Sequence, residues 1–350
     1  ALAPMVPPPT PLAAALATLA AGRSLGEALT ADVFEMVMRG EATPAQVGGL
    51  LLGLRVKGET AEEVAGAARA LRAAMVPVAA GGDHVIDTCG TGGGSVTTFN
   101  ISTGAALVAA GAGASVAKHG NRSFTSRCGS ADVLEALGVA ISLDAPTAAR
   151  VLRETRIAFL FAPNFHPAMR HVGAVRRELG VPSLMNLLGP LANPAGVRRQ
   201  VIGVADADRA PLVAQALARL GTDHALVVHG RIGMDEISPC GASDVWEVRD
   251  GAVTRWVVDP GAHDLAIEDP GALQGADPKE NATRLDGLLA ARSDDPSGRA
   301  ALLLNAGAAI YVAGLAASYE QGISRAREAL RSGAAAAALA SLRRAASTSG

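Results

Sequence analysis

The sequence predicts an α/β protein with a small helical N-terminal domain and a larger domain built on a mostly parallel central sheet. Two observations support this prediction. The first seventy-odd residues contain only helical apolar patterns, whereas after about Gly81 short apolar runs alternate with helical segments. Such alternation is typical of a parallel sheet covered by helices. The 350 residues, 49% of them hydrophobic, suffice for one large or two coupled domains.

Helix-start signals divide the N-terminal part into successive helices. Residues 43–46 form a capping box with proline at the first helical position, and residues 60–63 repeat the signal. Apolar spacing over 12–19 and 33–38 predicts two earlier helices. Gly58 is expected to end the third helix.

The second part predicts strands separated by helices. Asp250-Gly251, between two apolar runs, predicts a hairpin. Ser130 is expected to cap a helix. The predicted strands are 85–86, 115–117, 157–162, 201–205, 225–228, 245–248 and 253–258. The predicted helices are 102–110, 130–137, 168–177, 211–220 and about 282–344.

Composition excludes several classes of protein. The net charge is −2 and no basic run occurs, so a nucleic-acid binder is disfavoured. No apolar run reaches the length of a membrane span, and prolines interrupt the N-terminal apolar stretch, which argues against a signal peptide. The three cysteines are odd in number and form no C-x-x-C motif. A cytoplasmic protein without disulfides is therefore expected.

A glycine run follows the first predicted strand, from Gly90 to Ser95. Backbone N–H groups of such a run can approach phosphate oxygens closely. A tight strand-to-helix turn without a ligand explains an isolated glycine run equally well. The run matches neither the P-loop nor the dinucleotide-binding pattern, so both of those folds are disfavoured.

Four further segments carry candidate chemistry. Ser102, near a predicted helix start, can offer an oxygen to magnesium, although a plain N-cap is favoured for it alone. Lys118 lies at a strand end, where a ligand site and a solvated loop are equally expected. Asp235-Glu236 can hold magnesium, although adjacent acids in loops are usually just solvated. Arg176 can hold a carboxylate, although a surface position is the commoner explanation.

In combination and order, these segments resemble the anthranilate phosphoribosyltransferase family. The resemblance runs from about residue 12 to 345. The matching segments are Lys57-Gly58-Glu59-Thr60, Gly90-Thr91-Gly92-Gly93, Thr98-Phe99-Asn100-Ile101-Ser102-Thr103, Lys118-His119-Gly120-Asn121-Arg122, residues 129–138, His166-Pro167-Ala168-Met169, residues 176–180, residues 186–191 and Asp235-Glu236.

The resemblance implies two domains of the nucleoside phosphorylase/phosphoribosyltransferase type. The helical domain would take residues 1–78 and about 168–190, and the α/β domain residues 79–167 and 191–350. It also implies transfer of the phosphoribosyl group of phosphoribosyl pyrophosphate to anthranilate in tryptophan biosynthesis. A homodimer and Mg²⁺ as cofactor are further expectations.

The resemblance also implies the site residues, in three overlapping sets. Lys118 and Arg176 are the expected catalytic residues. The expected phosphoribosyl pyrophosphate site consists of Gly90, Gly93, Gly94, Thr98, Asn100, Ile101, Ser102, Thr103, Lys118, His119, Gly120, Asn121, Arg122, Ser126 and Ser130. The expected anthranilate contacts are Gly90, His119, Asn121, His166, Arg176 and Pro190. The expected magnesium ligands are Ser102, Asp235 and Glu236.

One departure from the family pattern lies in the glycine run. The family usually continues Asp-Gly after Gly93, whereas this chain has Gly94-Ser95. A carboxylate is therefore missing near the expected magnesium region. A glycine at 94 also predicts a freer loop, because glycine loses more conformational entropy when it is fixed.

Two alternative functions remain from the sequence. A pyrimidine nucleoside phosphorylase shares the fold and a segment like 129–135, but residues 118–121 and 166–169 favour the transferase. A non-catalytic relative that binds nucleic acid is the second alternative. The acidic charge balance and the presence of Lys118, Arg176, Asp235 and Glu236 count against it.

Overall fold

The computed structural model describes residues 10–82, 84–123 and 127–347. The chain divides into two compact units. The helical unit comprises the residues up to Met75 together with His166–Ala192, and the α/β unit comprises Val76–Phe165 and the chain from Asn193 onward. None of the described helices combines the length and the apolar character needed to cross a lipid bilayer.

Fifteen α-helices and seven strands are present in the described ranges. The helices are α1 (Pro11–Ala20), α2 (Glu27–Met38), α3 (Pro44–Lys57), α4 (Ala61–Ala73), α5 (Ile101–Gly111), α6 (Ser130–Ala136), α7 (Ala145–Thr155), α8 (Ala162–Phe165), α9 (Arg170–Leu179), α10 (Met185–Leu191), α11 (Ala210–Arg219), α12 (Pro278–Leu289), α13 (Pro296–Val312), α14 (Tyr319–Arg331) and α15 (Ala334–Ser347). The strands are β1 (Val85–Gly90), β2 (Ser115–Gly120), β3 (Ile157–Phe161), β4 (Arg199–Gly203), β5 (His224–Gly230), β6 (Ser243–Arg249) and β7 (Ala252–Val258).

Both predicted capping boxes are present in the helical unit. Thr43 caps α3 with Gln46, and Thr60 caps α4 with Glu63. The Glu63 carboxylate also forms a buried ion pair with Lys57 at 2.8 Å and accepts the backbone N–H of Leu25 at 2.9 Å. One capping residue therefore joins the start of α4 to the end of α3 and to the segment before α2.

The α/β unit contains one sheet of seven strands in the order β3-β2-β1-β4-β5-β6-β7. The pairs from β3 to β5 are parallel, and β6 and β7 continue the sheet as an antiparallel hairpin. Asp250 and Gly251 both have positive φ, at 50° and 78°. Two such residues are the requirement of a type I′ hairpin turn, so the predicted hairpin is confirmed.

The strand order changes direction between β1 and β4. The chain proceeds from β1 to β2 and β3 on one side and then returns to place β4 on the other side of β1. The second segment of the helical unit, His166–Ala192, is inserted in that return. In open parallel sheets such a switch point is the usual place for a ligand, at the carboxyl ends of the strands.

The structure corrects several predictions of local structure. The N-cap of α6 is Gly129, not Ser130, because the Asp132 carboxylate accepts the Gly129 N–H and Ser130 is already helical. The apolar pattern did not predict helices α7, α8 and α10, and Ala162, predicted to end a strand, is the first residue of α8. The C-terminal region, predicted as helical from 282 to 344, is divided into α12 to α15.

Candidate active site

The carboxyl ends of β1 and β4 form the base of the site. Gly90 and Gly203 are paired across these strands, and the segment after β5 passes over both of them. A Cβ at Gly90 would overlap the Asp235 carboxylate, and one at Gly203 would overlap the Asp235 backbone carbonyl. The two glycines therefore allow Asp235 to lie directly against the strand ends.

The glycine loop, residues 90–95, is bonded to this same segment. Gly92 and Gly93 have φ of 68° and 80°, a conformation that favours glycine. The Gly92 N–H donates to Oδ2 of Asp235 at 2.8 Å, and the Ser95 N–H donates to the Gly233 carbonyl at 3.0 Å. We call residues 231–237 the acidic loop.

Gly94 and Gly233 explain why the two loops approach so closely. A Cβ at position 94 would lie 2.7 Å from the Gly233 carbonyl oxygen, and a Cβ at Gly233 would overlap the Ser95 hydroxyl. The loop that the sequence predicted to be freer is tied to the acidic loop by hydrogen bonds from the backbone N–H groups of Gly92 and Ser95. Its small residues are what permit the contact.

Lys118 lies at the end of β2 with its ammonium group buried. Its side chain donates to the Thr88 carbonyl at 2.6 Å and to the Ser102 hydroxyl at 3.3 Å. Burial lowers the pKa of Lys118, while the Asp87, Cys89 and Glu236 side chains oppose that change. A buried cation with acidic neighbours thus lies beside the start of α5.

Asp87 lies one strand away from this cation and holds the local backbone. Its carboxylate accepts the His119 N–H at 3.1 Å and the side-chain amide of Asn193 at 2.8 Å. The Asn193 amide also donates to the Ala117 carbonyl. Asp87 and Asn193 therefore fix the end of β2, which carries Lys118 and His119.

The start of α5 differs from the expected plain cap. The N-cap residue is Asn100, and its side chain makes no capping hydrogen bond. Ser102 is the second helical residue, and its hydroxyl accepts from Lys118. Among the described residues, the buried hydroxyl of Thr103 has no hydrogen-bond partner. The interpretation of Ser102 as a plain N-cap is therefore wrong.

Asn100 and Ile101 are held in place in different ways. The Asn100 amide donates to the Cys128 carbonyl at 3.1 Å and its oxygen accepts from Asn281 at 3.0 Å. The Ile101 side chain is fully buried in the core, so only its backbone can face a ligand.

Asp235 and Glu236 form a half-buried pair of carboxylates. Burial and the neighbouring Asp235 charge raise the pKa of Glu236 to about 8, and Thr98 donates to it at 3.0 Å. Burial also raises the pKa of Asp235. Two adjacent carboxylates in such surroundings favour a cation between them.

The donor set at this pair fits magnesium. Ser102, Asp235 and Glu236 line one cavity of about 10 Å³, which is about the space of one water. The described residues contain no group of three or more His, Cys, Asp and Glu side chains arranged to hold a metal. Two carboxylates and a hydroxyl are nevertheless suitable, because magnesium usually takes its remaining ligands from phosphates and water.

The segment after β2 is engaged largely with α6. The Arg122 guanidinium pairs with Asp132 at 2.8 Å and with Glu135 at 2.9 Å. The Asn121 side chain accepts the Arg122 N–H, and a Cβ at Gly120 would overlap the Ser130 hydroxyl. The expected site residue Ser126 lies outside the described residues.

Three expected anthranilate contacts belong to the helical unit. Arg176, on α9, is half-buried, its guanidinium makes no hydrogen bond or ion pair within the described part of the chain, and burial lowers its pKa. His166 is buried, which lowers its pKa to about 4. Pro190 is buried inside α10. The other three, Gly90, His119 and Asn121, belong to the α/β unit.

Three asparagines that sequence analysis did not identify support the site residues through hydrogen bonds. They are Asn193, which holds the end of β2, Asn281, which holds Asn100, and Asn305, which bonds the backbone of the acidic loop. Each is an isolated asparagine in sequence, far from the residue it supports. No local motif signals such a contact.

Two family models match the chain. The glycosyl transferase family α/β domain matches residues 82–336, and the helical bundle domain of the glycosyl transferase family matches residues 13–75. Together they span most of the sequence. This chain therefore has the domain pair of that family.

Named relatives cover nearly the whole chain. It is 49% identical to the anthranilate phosphoribosyltransferase of Myxococcus xanthus over 92% of this chain and 95% of that one. It is 50% identical to the anthranilate phosphoribosyltransferase of Roseiflexus sp. over 91% of this chain and 93% of that one.

Solved structures are similar over the same extent. The anthranilate phosphoribosyltransferase of Thermus thermophilus matches with a TM-score of 0.90 and 41% identity, over 95% of this chain and 99% of that one. The enzyme from Saccharomyces cerevisiae, in complex with phosphoribosyl pyrophosphate and magnesium, matches with a TM-score of 0.88 and 28% identity, over 96% and 98%.

Proposed function

The chain belongs to the anthranilate phosphoribosyltransferase family, and from this premise we propose how its own residues carry out the reaction. The enzyme transfers the phosphoribosyl group of phosphoribosyl pyrophosphate to the amine of anthranilate and releases pyrophosphate. The observation that carries the proposal is the constellation of the buried Lys118 and the half-buried Asp235 and Glu236 beside the glycine loop. A cation, two carboxylates and backbone N–H groups are what a pyrophosphate with a divalent ion requires.

The phosphoribosyl pyrophosphate site is proposed at the carboxyl ends of β1 and β2. Backbone N–H groups of the glycine loop and of the start of α5 would donate to phosphate oxygens, since a helix N-terminus favours anions. The residues assigned to it are Gly90, Gly93, Gly94, Thr98, Asn100, Ile101, Ser102, Thr103, Lys118, His119, Gly120, Asn121, Arg122, Ser126 and Ser130.

Ser102, Asp235 and Glu236 would hold Mg²⁺. When bound, the ion would neutralise charge on the pyrophosphate leaving group. Lys118 adds a positive charge from the protein at the same place, and its bonds to Thr88 and Ser102 hold that charge in position before substrate arrives.

The remaining steps are those of substitution at the ribose C1. As the C1–O bond to pyrophosphate breaks, C1 acquires oxocarbenium character, the anthranilate nitrogen attacks it, and the nitrogen then loses a proton. An aryl amine is weakly basic, so the proton leaves without a strong base. Arg176 would bind the anthranilate carboxylate, with Gly90, His119, Asn121, His166 and Pro190 as further contacts.

The loss of anthranilate fluorescence in the presence of phosphoribosyl pyrophosphate, followed across a magnesium titration, tests the proposed function. We expect consumption that requires both the donor and magnesium. Failure to consume anthranilate, together with phosphate-dependent release of free base from thymidine or uridine, would instead support a nucleoside phosphorylase.

Removing one carboxylate tests the magnesium site. We expect Asp235→Asn to shift the magnesium titration to concentrations about tenfold or more higher, because the variant loses a charged ligand. The matched control is Asp286→Asn, since Asp286 pairs with Arg292 and Arg343, which lie outside the acidic loop. An unchanged titration for Asp235→Asn would remove this residue from the metal site.

We infer that two copies of the chain associate through α3. Ala45, Gly49, Leu52 and Val56 follow one face of this helix at spacings of four, three and four residues, and Leu52 and Val56 are 45% and 79% exposed. An apolar seam with this spacing is typical of helix–helix association. The surface that covers this seam is proposed to be α3 of a second copy of the chain.

Light scattering coupled to gel filtration tests this association. Leu52→Glu/Val56→Glu should convert a dimer into a monomer, because two charges would be buried in the seam. Val257→Glu, at a valine of the α/β unit that is 46% exposed, is the control and should leave the mass unchanged. A dimeric double variant would contradict the assignment.

A cytoplasmic location and the domain limits complete the proposal. The three cysteines are free, as expected in a reducing compartment. The domain limits proposed from the sequence, 1–78 with 168–190 and 79–167 with 191–350, are supported by the two compact units.

A further inference from the structure

The side chain of Asn305, on α13, is bonded to the acidic loop. Its oxygen accepts the backbone N–H of Ile237 at 3.0 Å, and its amide donates to the Ile237 carbonyl at 2.9 Å. The same amide donates to the Ala301 carbonyl, one helical turn earlier, at 2.9 Å. Asn305 is only 5% exposed and Ile237 is fully buried.

This contact fixes the residue that directly follows Glu236. An amide side chain that bonds both backbone groups of one residue restrains it as a neighbouring strand would. On the other side of the acidic pair, the Gly230 N–H donates to the Met234 carbonyl at 2.9 Å. Asp235 and Glu236 are therefore held between two anchored residues.

In this arrangement the polar atoms of Asn305 are engaged by the backbone. Both of its N–H groups donate to backbone carbonyls, and its oxygen is directed to the Ile237 N–H. It nevertheless lines the same cavity as Ser102, Asp235 and Glu236. The side chain is thus next to the carboxylates, and it bonds the backbone of Ile237, the residue after Glu236, and that of Ala301 on its own helix.

We propose that Asn305 is a positioning residue that sets the geometry of the Asp235–Glu236 pair for its cation. The inference rests on the proposed function, because it takes this pair as the magnesium site. Magnesium requires near-ideal octahedral geometry, so a small displacement of the loop weakens binding. Groups that orient metal ligands typically change metal affinity by about ten- to a hundredfold when they are removed.

Mn²⁺ binding to the full chain, followed by the electron paramagnetic resonance signal of the free ion, provides a readout apart from turnover. We expect Asn305→Leu to raise the Kd for Mn²⁺ about tenfold or more. The magnesium concentration for half-maximal activity should rise in parallel, while the maximal rate at saturating magnesium falls less.

Tyr319→Phe is the matched control. The Tyr319 hydroxyl donates to the carbonyl of Leu304, the neighbour of Asn305, at 3.1 Å, so this variant also removes a buried hydrogen bond to α13. We expect it to lower the melting temperature and leave the Kd for Mn²⁺ unchanged. An equal change in Kd for both variants would show a merely structural role and overturn the proposal.

Asn305→Ala keeps the test available if the leucine variant does not fold. Water can occupy the space of the missing amide and satisfy Ile237, but it cannot restrain the loop. A folded Asn305→Ala protein with wild-type Kd for Mn²⁺ would overturn the inference.

A parallel Mn²⁺ titration of the Glu236→Gln variant distinguishes failure of the positioning role of Asn305 from failure of the proposed function. If Glu236→Gln weakens Mn²⁺ binding and the Asn305 variants do not, only the positioning role is wrong. If Glu236→Gln has no effect either, the assignment of the metal site itself is wrong.

Discussion

The two units hold their candidate site residues differently. In the α/β unit, the charged groups of the constellation already have protein partners: Lys118 donates to Thr88 and Ser102, Asp235 accepts from Gly92, and Glu236 accepts from Thr98. In the helical unit, the Arg176 guanidinium is half-buried and has no bonding partner within the described residues.

This difference suits the α/β unit to stabilising charge during the reaction and the helical unit to selecting the substrate. Groups that stabilise developing charge act best when they are fixed beforehand, because no reorganisation then occurs during the reaction. A partly buried cation without a partner instead carries an uncompensated desolvation cost, which a bound carboxylate would offset. Arg176 is therefore suited to discriminate between ligands with and without a carboxylate.

The largest expected effect follows loss of the buried cation. We expect Lys118→Met to lower kcat/KM for phosphoribosyl pyrophosphate about a thousandfold, because it removes a fixed charge in a water-poor site. Arg198→Met is the comparison variant, since Arg198 is exposed, pairs with Asp223 and is not assigned to the site. If steady-state kinetics showed equal losses of kcat/KM for the two variants, the proposed role of Lys118 in stabilising charge would be contradicted.

A smaller and more selective effect is expected at Arg176. We expect Arg176→Leu to raise the KM for anthranilate about a hundredfold, through loss of the paired donors to its carboxylate, with little change in the KM for phosphoribosyl pyrophosphate. Arg177→Leu, at the exposed neighbour on α9, should change neither constant. A similar rise in both KM values would count against the assignment and against the division of roles between the units.

The smallest effect is expected on stability in acid. The pKa of His166 in the folded protein is about 4, below its ordinary value of 6.5, so its contribution to stability is present above pH 6.5 and is lost as the pH falls towards 4. The loss at pH 5 is about 2 kcal/mol. We expect His166→Phe to reduce the decline in melting temperature between pH 7 and pH 5.

His84→Gln, at an exposed histidine of the α/β unit, is the control for this measurement and should retain the decline. If His166→Phe declines as steeply as the unaltered protein, burial of His166 is not a source of acid sensitivity.

Local signals in the sequence correctly predicted much of the fold. Each capping box and the Asp250-Gly251 turn depend on residues within a few positions of each other, so their chemistry is visible in sequence. The start of α5 was harder, because Asn100, Ser102 and Thr103 are all suitable caps. The choice among them involves Lys118, a tertiary partner of Ser102.

The residues of the candidate site could be predicted from the sequence, whereas the long-range hydrogen bonds that hold them in place could not. Order and spacing pointed to the glycine loop, Lys118 and the acidic pair. The contact of Asn305 with Ile237 spans 68 positions, and that of Lys118 with Thr88 spans 30. Such contacts depend on how the strands and helices are brought together, which local periodicity does not encode.

The contact between Gly94, Ser95 and Gly233 limits the order in which this enzyme can accept substitutions. An aspartate introduced at 94 would meet the Gly233 carbonyl, and any side chain at 233 would meet the Ser95 hydroxyl. The three positions therefore form an epistatic group, in which the effect of one replacement depends on its neighbours. A directed-evolution library that varies them one at a time would discard combinations that only a simultaneous change can reach.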